Sequence, residues 1–157
     1  MNNSTVKEQS LSPATSGSQL KVAGQEPEPA QLDDRMLMAL GAAAEKKALN
    51  SVVLDLREIA SFTDFFMITS GANERQVQAI SDEIVETLKK AGSAAARVEG
   101  YKTAEWILLD YGDFVFHVFD AKARSFYDLE RLWRESKRVE LPPELAGETD
   151  SSLRSES

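Results

Sequence analysis

Asp110 and Asp113 form an acidic pair whose spacing could support chemistry. They lie three positions apart between two apolar runs, and two carboxylates on one tight turn can share a divalent cation. Acidic residues also occur in turns because they accept hydrogen bonds from local backbone amides. No Asp-x-Asp or His-x-x-x-His pair elsewhere completes a coordination shell. We therefore predict two acidic turn residues and no metal site. In a two-residue loop the two carboxylates would face each other and repel, so either the loop is longer or a positively charged group lies close to it.

His117 is the only histidine, and the chain has no cysteine, which excludes thiol catalysis and disulfides. A nucleophilic triad would need His117 as a base beside an activated Ser or Thr, but no Gly-x-Ser-x-Gly elbow is present. Residues 70–75 lie between a predicted strand and a predicted helix, where backbone amides can bind phosphate. They lack the P-loop and dinucleotide glycine patterns. We predict a packed or hydrogen-bonded surface histidine, an ordinary turn with a helix cap, and no enzyme activity.

The excess of acidic residues limits the partners of this chain. Its 157 residues carry a net charge of -8, whereas proteins that bind mainly through phosphate groups need clustered Lys and Arg. We expect no primary nucleic-acid contact, while a basic protein surface is a suitable partner. No apolar run approaches the roughly 20 residues of a membrane span, and the first thirty residues lack the apolar segment of a secretory signal. We therefore expect a cytoplasmic protein with no membrane partner.

The elements that would position these residues form one α/β (α+β) domain, for which a hydrophobic share of 42% is sufficient. Residues 1–31 predict a disordered N-terminal arm and residues 140–157 an acidic disordered C-terminal tail. Within residues 32–139, the apolar periodicity predicts the order α-β-β-α-β-β-β-α, which fits a mixed sheet of about five strands with three helices. The predicted helices begin near Asp33, at Asn73 and near Phe126, and the predicted strands cover residues 51–56, 65–69, 95–98 and a hairpin at 105–120.

The predicted hairpin is the centre of this sheet. Its predicted register pairs Leu109 with Phe114 and Trp106 with His117, and both of its faces are mostly apolar. Three helices can cover one face of such a sheet well and the other only in part, so the face with Trp106 is a candidate docking surface. Whether Trp106 is core or interface stays open. An uncovered apolar face also leaves a homodimer of the free protein open.

Five segments together resemble the ribosomal silencing factor family, RsfS, which is also called Iojap or YbeB. The resemblance covers about residues 33–136, and the combined order of the segments is specific although no single one is. The segments are residues 64–71 (DFFMITSG), 75–82 (RQVQAISD), 98–100 (VEG), 106–119 (WILLDYGDFVFHVF) and 124–133 (RSFYDLERLW).

This resemblance implies a non-enzymatic translational repressor with a nucleotidyltransferase-like sheet that lacks the catalytic carboxylates. Family members bind the large ribosomal subunit through ribosomal protein uL-fourteen and block its association with the small subunit when nutrients are limiting. A role in large-subunit biogenesis is also implied, and no cofactor is expected. The fold supplies an alternative, a nucleotidyltransferase-type enzyme using Mg and a nucleoside triphosphate. That chemistry needs a Gly-Ser turn and a following Asp-x-Asp or Asp-x-Glu strand, whereas this chain has Ser70-Gly71 and no such pair before Tyr101.

Carried over onto the matching motif positions, the resemblance implies that the partner-binding residues lie on and near the hairpin. Tyr111, expected at the tip of the loop, and Trp106 have the amphipathic character of interface anchors. Glu99 and Lys102 are weaker neighbours of the motif. The full expected set is Trp106, Leu108, Asp110, Tyr111, Gly112, Asp113, Glu99 and Lys102.

Overall fold

The computed structural model describes residues 31–149. Residues 1–30 of the predicted arm and residues 150–157 of the predicted tail lie outside the described residues, so the predicted domain boundaries stay predictions. The described elements are α1 (Asp34–Glu45), β1 (Leu49–Asp55), β2 (Phe65–Gly71), α2 (Glu74–Lys90), β3 (Arg97–Glu99), β4 (Trp106–Asp110), β5 (Phe114–Asp120), α3 (Ala121–Tyr127), α4 (Leu129–Leu132), β6 (Lys137–Arg138) and a 3-10 turn at Pro143–Leu145.

The strands of the described residues form one mixed sheet in the order β3-β4-β5-β2-β1-β6. Neighbours β2 and β5 run parallel, and the other neighbouring pairs are antiparallel. The chain between β2 and β5 contains α2, because parallel neighbours need a long crossover connection. The predicted single domain with a mixed sheet is therefore confirmed. The sixth strand, β6, was not predicted, because its two residues are polar and exposed and form a strand through pairing with β1, which is distant in the sequence.

The two long helices cover one face of the sheet. Helix α1 begins at a cap in which the Asp33 carboxylate accepts a hydrogen bond from the Met36 amide at 3.0 Å. Helix α2 begins in the same way at Asn73, as predicted. Its apolar residues recur at three and four positions, and this stripe is buried against the sheet. None of the helices in the described part of the chain is both long and apolar enough to cross a membrane.

The second face is covered less completely, by the short helices α3 and α4 and by the loop between β1 and β2. The sequence predicted one helix from Phe126 to about residue 137, and this prediction is wrong. Asp128 has a left-handed backbone with φ of 51° and separates α3 from α4. A residue in that conformation cannot continue a right-handed helix. The break leaves two short helices, whose apolar residues Ala123 and Leu129 reach the sheet.

The hairpin of β4 and β5 has a register two residues away from the predicted one. Leu109 pairs with Phe116 rather than with Phe114, and Trp106 pairs with Phe119. Side chains alternate between the faces with a period of two, so a shift of two residues leaves every side chain on its predicted face. The predicted pairs are wrong, and the predicted faces are right.

The turn explains the shift. The Tyr111 amide donates to the Phe114 carbonyl at 2.9 Å, so the connection consists of Gly112 and Asp113 alone. Gly112 has a φ of 89°, a conformation that glycine adopts without steric cost. The Thr63 hydroxyl donates to the Gly112 carbonyl at 2.9 Å and fixes the turn to the loop before β2. The hairpin is therefore anchored at its tip as well as along its strands.

Residues 137–148 run along the outer edge of β1. The Ser51 amide donates to the Ala146 carbonyl at 2.7 Å, and the Asn50 amide donates to the Glu148 carbonyl at 2.8 Å. Leu141 packs against the main core from the same stretch of chain. The described part of the predicted tail is thus packed on the domain.

Candidate functional site

The second sheet face carries a group of aromatic side chains that we call the aromatic surface: Phe62, Trp106, Tyr127 and Trp133. Phe62 is 61% exposed, and its ring centroid lies 5.9 Å from that of Trp133. The ring of Tyr127, which is also exposed, lies 4.9 Å from the ring of Trp106. Leu132 adds an exposed apolar side chain from α4. Contiguous exposed apolar groups of this kind mark interaction sites.

Trp106 is half-buried, so its ring belongs in part to the core and in part to the surface. Its ring contacts the rings of Phe119 and Tyr127, with both centroid distances 4.9 Å. Its indole N–H donates to Nδ1 of His117 at 3.0 Å. The indole is therefore held on two sides and by one directed bond, while part of it faces solvent.

His117 lies under this surface and is 3% exposed. The ring of Phe66 meets it edge-on at 4.5 Å. Burial lowers the pKa of the imidazole to about 3, so the ring is neutral at physiological pH. Since Nδ1 accepts the Trp106 bond, Nε2 carries the proton, and this atom has no hydrogen-bond partner among the described residues. The sequence predicted a packed or hydrogen-bonded histidine at the surface; His117 is packed and hydrogen-bonded, but it is buried.

The carboxylates at the hairpin turn do not face each other. Asp110 ends β4, where it accepts a hydrogen bond from the Gly112 amide at 2.9 Å and lies 3.4 Å from the Arg97 guanidinium. Asp113 lies in the turn and pairs with Arg35 of α1. Each carboxylate therefore has a positively charged partner of the kind that the sequence analysis required, and both guanidinium groups belong to this chain. Among the described residues, no group of three or more His, Asp or Glu side chains could hold a metal ion.

Asp113→Asn is expected to lower the free energy of unfolding by less than about 1 kcal/mol, because its ion pair with Arg35 is solvent-exposed. Arg35 also keeps a second carboxylate partner in Asp33 at 3.2 Å. Urea denaturation at low and high salt measures the effect, which should shrink as salt screens the pair. Asp110→Asn is the matched control, since the amide oxygen still accepts from Gly112. A loss above about 2 kcal/mol for Asp113→Asn would contradict the weak exposed pair.

The structure brings together only part of the expected partner-binding set. Trp106, Leu108 and Asp110 share the second face of β4, and Glu99 lies opposite Leu108 on β3. Tyr111 is not at an exposed tip: it is 7% exposed, belongs to the core under the long helices and stacks on Phe114 at 5.0 Å. Gly112 and Asp113 form the exposed turn, and Lys102 is exposed in the turn before β4.

Three exposed aromatic residues of this region were missed as site residues: Phe62, Phe126 and Tyr127. Phe62 stands alone in the polar stretch before β2, and a large apolar side chain isolated among polar residues is a signal that could have been used. Tyr127 was grouped with residues expected to be mostly core. Its exposure follows from the helix break at Asp128, which the sequence did not reveal.

Behind the ends of β1 and β2 lies an open cavity of about 700 Å³, lined in part by Arg124, Glu130 and Arg138. Arg124 donates to both carboxylate oxygens of Glu130, at 3.1 and 3.2 Å, and to the Leu49 carbonyl at 3.2 Å. Arg138 adds a bond to the same carboxylate at 3.1 Å. Burial disfavours the charged form of Glu130, but the hydrogen bond and charge of Arg124, with those of Arg138, outweigh it and lower its pKa. The charges of Arg124, Arg138 and Glu130 are therefore paired with one another.

Fold and surface together define a small mixed α/β domain with an aromatic surface on the less covered face of its sheet. The family model described as "Ribosomal silencing factor during starvation" matches residues 29–157. The chain therefore belongs to the ribosomal silencing factor family, as its motifs indicated. Relatives in this family are named as a regulatory factor, which fits a protein that is not an enzyme.

Individual relatives agree with this assignment. "Ribosomal silencing factor RsfS" of Halalkalibacterium halodurans is 42% identical over 104 residues, which cover 66% of this chain and 89% of that protein. A crystal structure from Bacillus halodurans has a TM-score of 0.61 and 42% identity and covers 68% of this chain and 96% of its own. A crystal structure from Chromobacterium violaceum has a TM-score of 0.64 and 29% identity, with coverages of 72% and 91%.

Proposed function

We propose that this protein represses translation by binding the large ribosomal subunit and sterically blocking its association with the small subunit. Its contact would be ribosomal protein uL-fourteen, in the cytoplasm and under nutrient limitation, and the same binding could serve large-subunit biogenesis. The observation that carries the proposal is the aromatic surface around Trp106, on the sheet face that the long helices leave open. Family membership supports the ribosome as the place of action.

Net charge and aromatic side chains would contribute to this contact in different ways. The net charge of -8 favours the approach of a basic ribosomal protein over a distance. Close to the hairpin, Asp110 and Asp113 are already compensated by Arg97 and Arg35. Their contribution to affinity is therefore small, and the free energy of binding comes mainly from burying aromatic side chains. This revises the expectation that the two carboxylates are principal contacts.

Sedimentation with separated subunits tests the proposal. The purified protein should co-sediment with isolated large subunits without nucleotide or metal. Added before the small subunit, it should prevent formation of the complete ribosome, and added afterwards it should have little effect. Failure to co-sediment, or turnover of a nucleoside triphosphate with Mg²⁺, would refute the proposal. A homodimer of the free protein, which sedimentation of the protein alone would detect, stays a separate proposal.

Trp106→Ala should weaken binding to the large subunit by about 2 kcal/mol, roughly thirtyfold in Kd, because a half-buried indole at the centre of the surface is a typical hot spot. Titration of labelled protein against large subunits measures the change. Val98→Ala is the control, because Val98 is an exposed apolar residue on the opposite face of the sheet edge and its truncation should leave Kd unchanged. Both variants need a folded circular dichroism spectrum. Equal Kd values for Trp106→Ala and wild type would remove Trp106 from the interface.

A further inference from the structure

His117 presents an unusual combination of contacts. Its Nδ1 accepts the indole N–H of Trp106 at 3.0 Å, while its Nε2–H is buried without an acceptor among the described residues. A buried donor without a partner is unfavourable. A leucine would fill much of the same space without that cost. Histidine at this position is therefore less favourable for stability than leucine, unless the hydrogen bond at Nδ1 has a role that an apolar side chain cannot fill.

The packing around Trp106 shows what that bond can decide. The rings of Phe119 and Tyr127 both contact the indole, at interplanar angles of 31° and 48°, and lie 6.4 Å from each other. These apolar neighbours confine the plane of the ring. They distinguish poorly between the two ring orientations that differ by a half-turn about the bond to the ring, because both present carbon atoms to the same neighbours. Only a directed hydrogen bond selects one orientation.

We propose that His117 is a positioning residue that fixes the Trp106 indole with its N–H turned inward, so that a carbon edge of the ring is offered to the partner. This inference rests on the proposed function, since it assigns chemistry to the same surface. Because the single indole donor is occupied, the group that meets Trp106 is an apolar side chain of the ribosomal protein and not a hydrogen-bond acceptor. Acceptors on the partner would gain nothing at this position.

Three variants separate positioning from packing. His117→Leu removes the acceptor and keeps an apolar filling. His117→Asn keeps an acceptor, because the side-chain amide oxygen occupies nearly the position of Nδ1. Trp106→Phe removes the indole N–H and keeps an aromatic ring in contact with Phe119 and Tyr127. The double variant His117→Leu with Trp106→Phe completes a cycle in which the directed bond is the only feature that both single changes remove.

The first readout needs no ribosome. The chain has two tryptophans, so the amide spectrum of the free protein contains two indole N–H resonances, and Trp106→Phe identifies one of them. In wild type and in His117→Asn the Trp106 resonance should exchange slowly with solvent. In His117→Leu it should move upfield and exchange at least about tenfold faster, as expected for a donor that has lost its acceptor. Unchanged exchange in His117→Leu would overturn the positioning role.

The second readout is Kd for isolated large subunits. His117→Leu should weaken binding about tenfold, His117→Asn by less than about threefold, and His117→Leu should cost no more than about twofold in the Trp106→Phe background. Equal losses for the leucine and asparagine variants would overturn the inference, as would an undiminished loss in the Trp106→Phe background. Wild-type protein that fails to bind large subunits would refute the proposed function, and the indole resonance would still decide whether His117 orients Trp106.

Discussion

Arg124→Met is expected to lower the free energy of unfolding by about 3 kcal/mol. The Arg124 side chain is 12% exposed and joins three elements, since it donates to Glu130 of α4, to the Leu49 carbonyl of β1 and to the Ser70 hydroxyl of β2. Methionine keeps the length and the packing but removes every donor. The loss should fall at the low end for a broken buried pair, because Arg138 still neutralises Glu130.

Arg138→Met is the matched control for this prediction. Arg138 donates to the same carboxylate, but its side chain is 61% exposed, so its removal should cost less than about 1 kcal/mol. Urea denaturation followed by circular dichroism measures both variants. Equal losses for Arg124→Met and Arg138→Met would show that burial of the guanidinium does not determine the strength of the pair.

Arg124→Met should also change how the free energy of unfolding falls at acid pH. The folded-state pKa of Glu130 is lowered below the ordinary value of 4.5 because the partnership with the two arginines outweighs burial. A carboxylate of this kind stabilises the fold fully above its unfolded pKa, and the stabilisation is lost as pH falls through the folded value. Wild type should therefore lose more stability than Arg124→Met between about pH 5 and pH 3. A steeper acid loss in the variant would contradict the assigned sign.

Gly100→Ala is expected to lower the free energy of unfolding by about 2–4 kcal/mol. Gly100 has a φ of 81°, and a Cβ at this position would lie 2.1 Å from the Trp106 carbonyl oxygen. A backbone atom cannot rotate away as a side chain can, so the chain before β4 must shift. The substitution should also displace the strand that carries Trp106, and thermal denaturation together with large-subunit binding reports both consequences.

Gly112→Ala distinguishes the two causes of the stability loss in Gly100→Ala, which are backbone strain and the collision of the new Cβ with the Trp106 carbonyl. Gly112 has a nearly equal φ of 89°, but a Cβ there would meet nothing within 4 Å. Both variants therefore bear the strain of a left-handed alanine, about 1 kcal/mol, and only Gly100→Ala bears the collision with the Trp106 backbone. The melting temperature of Gly100→Ala should lie at least about 5 °C below that of Gly112→Ala. Indistinguishable melting temperatures would show that the collision relaxes freely.

Local signals in the sequence predicted the elements well where the structure is also local. Asn73 and the apolar stripe of α2 are close neighbours in the chain, and the helix follows from them. The strand before it extends through Ser70 and Gly71, beyond its predicted end at residue 69. The hairpin strands were found for the same reason, but their register was not. Alternation has a period of two and cannot detect a shift of two residues. The choice depends on whether Tyr111 belongs to the loop or to the core, and it is decided by packing on Phe114.

The candidate site could be predicted less completely, because its contacts join distant parts of the chain. Trp106 and Leu108 were identified from the motif and do share one face. The compensation of Asp113 by Arg35 spans 78 positions in the sequence and has no local signature. The predicted register placed Trp106 directly opposite His117, whereas in the structure Trp106 pairs with Phe119 and its bond to His117 is a diagonal contact.

The pairing of residues 137–148 with the outer edge of β1 has a consequence for folding during synthesis. During synthesis β1 emerges early, yet its outer edge stays unpaired until these much later residues have been added. An open strand edge is a template for pairing with other chains, and contacts between distant segments form slowly. During synthesis there is thus an interval in which the outer edge of β1 is unpaired and can pair with other chains.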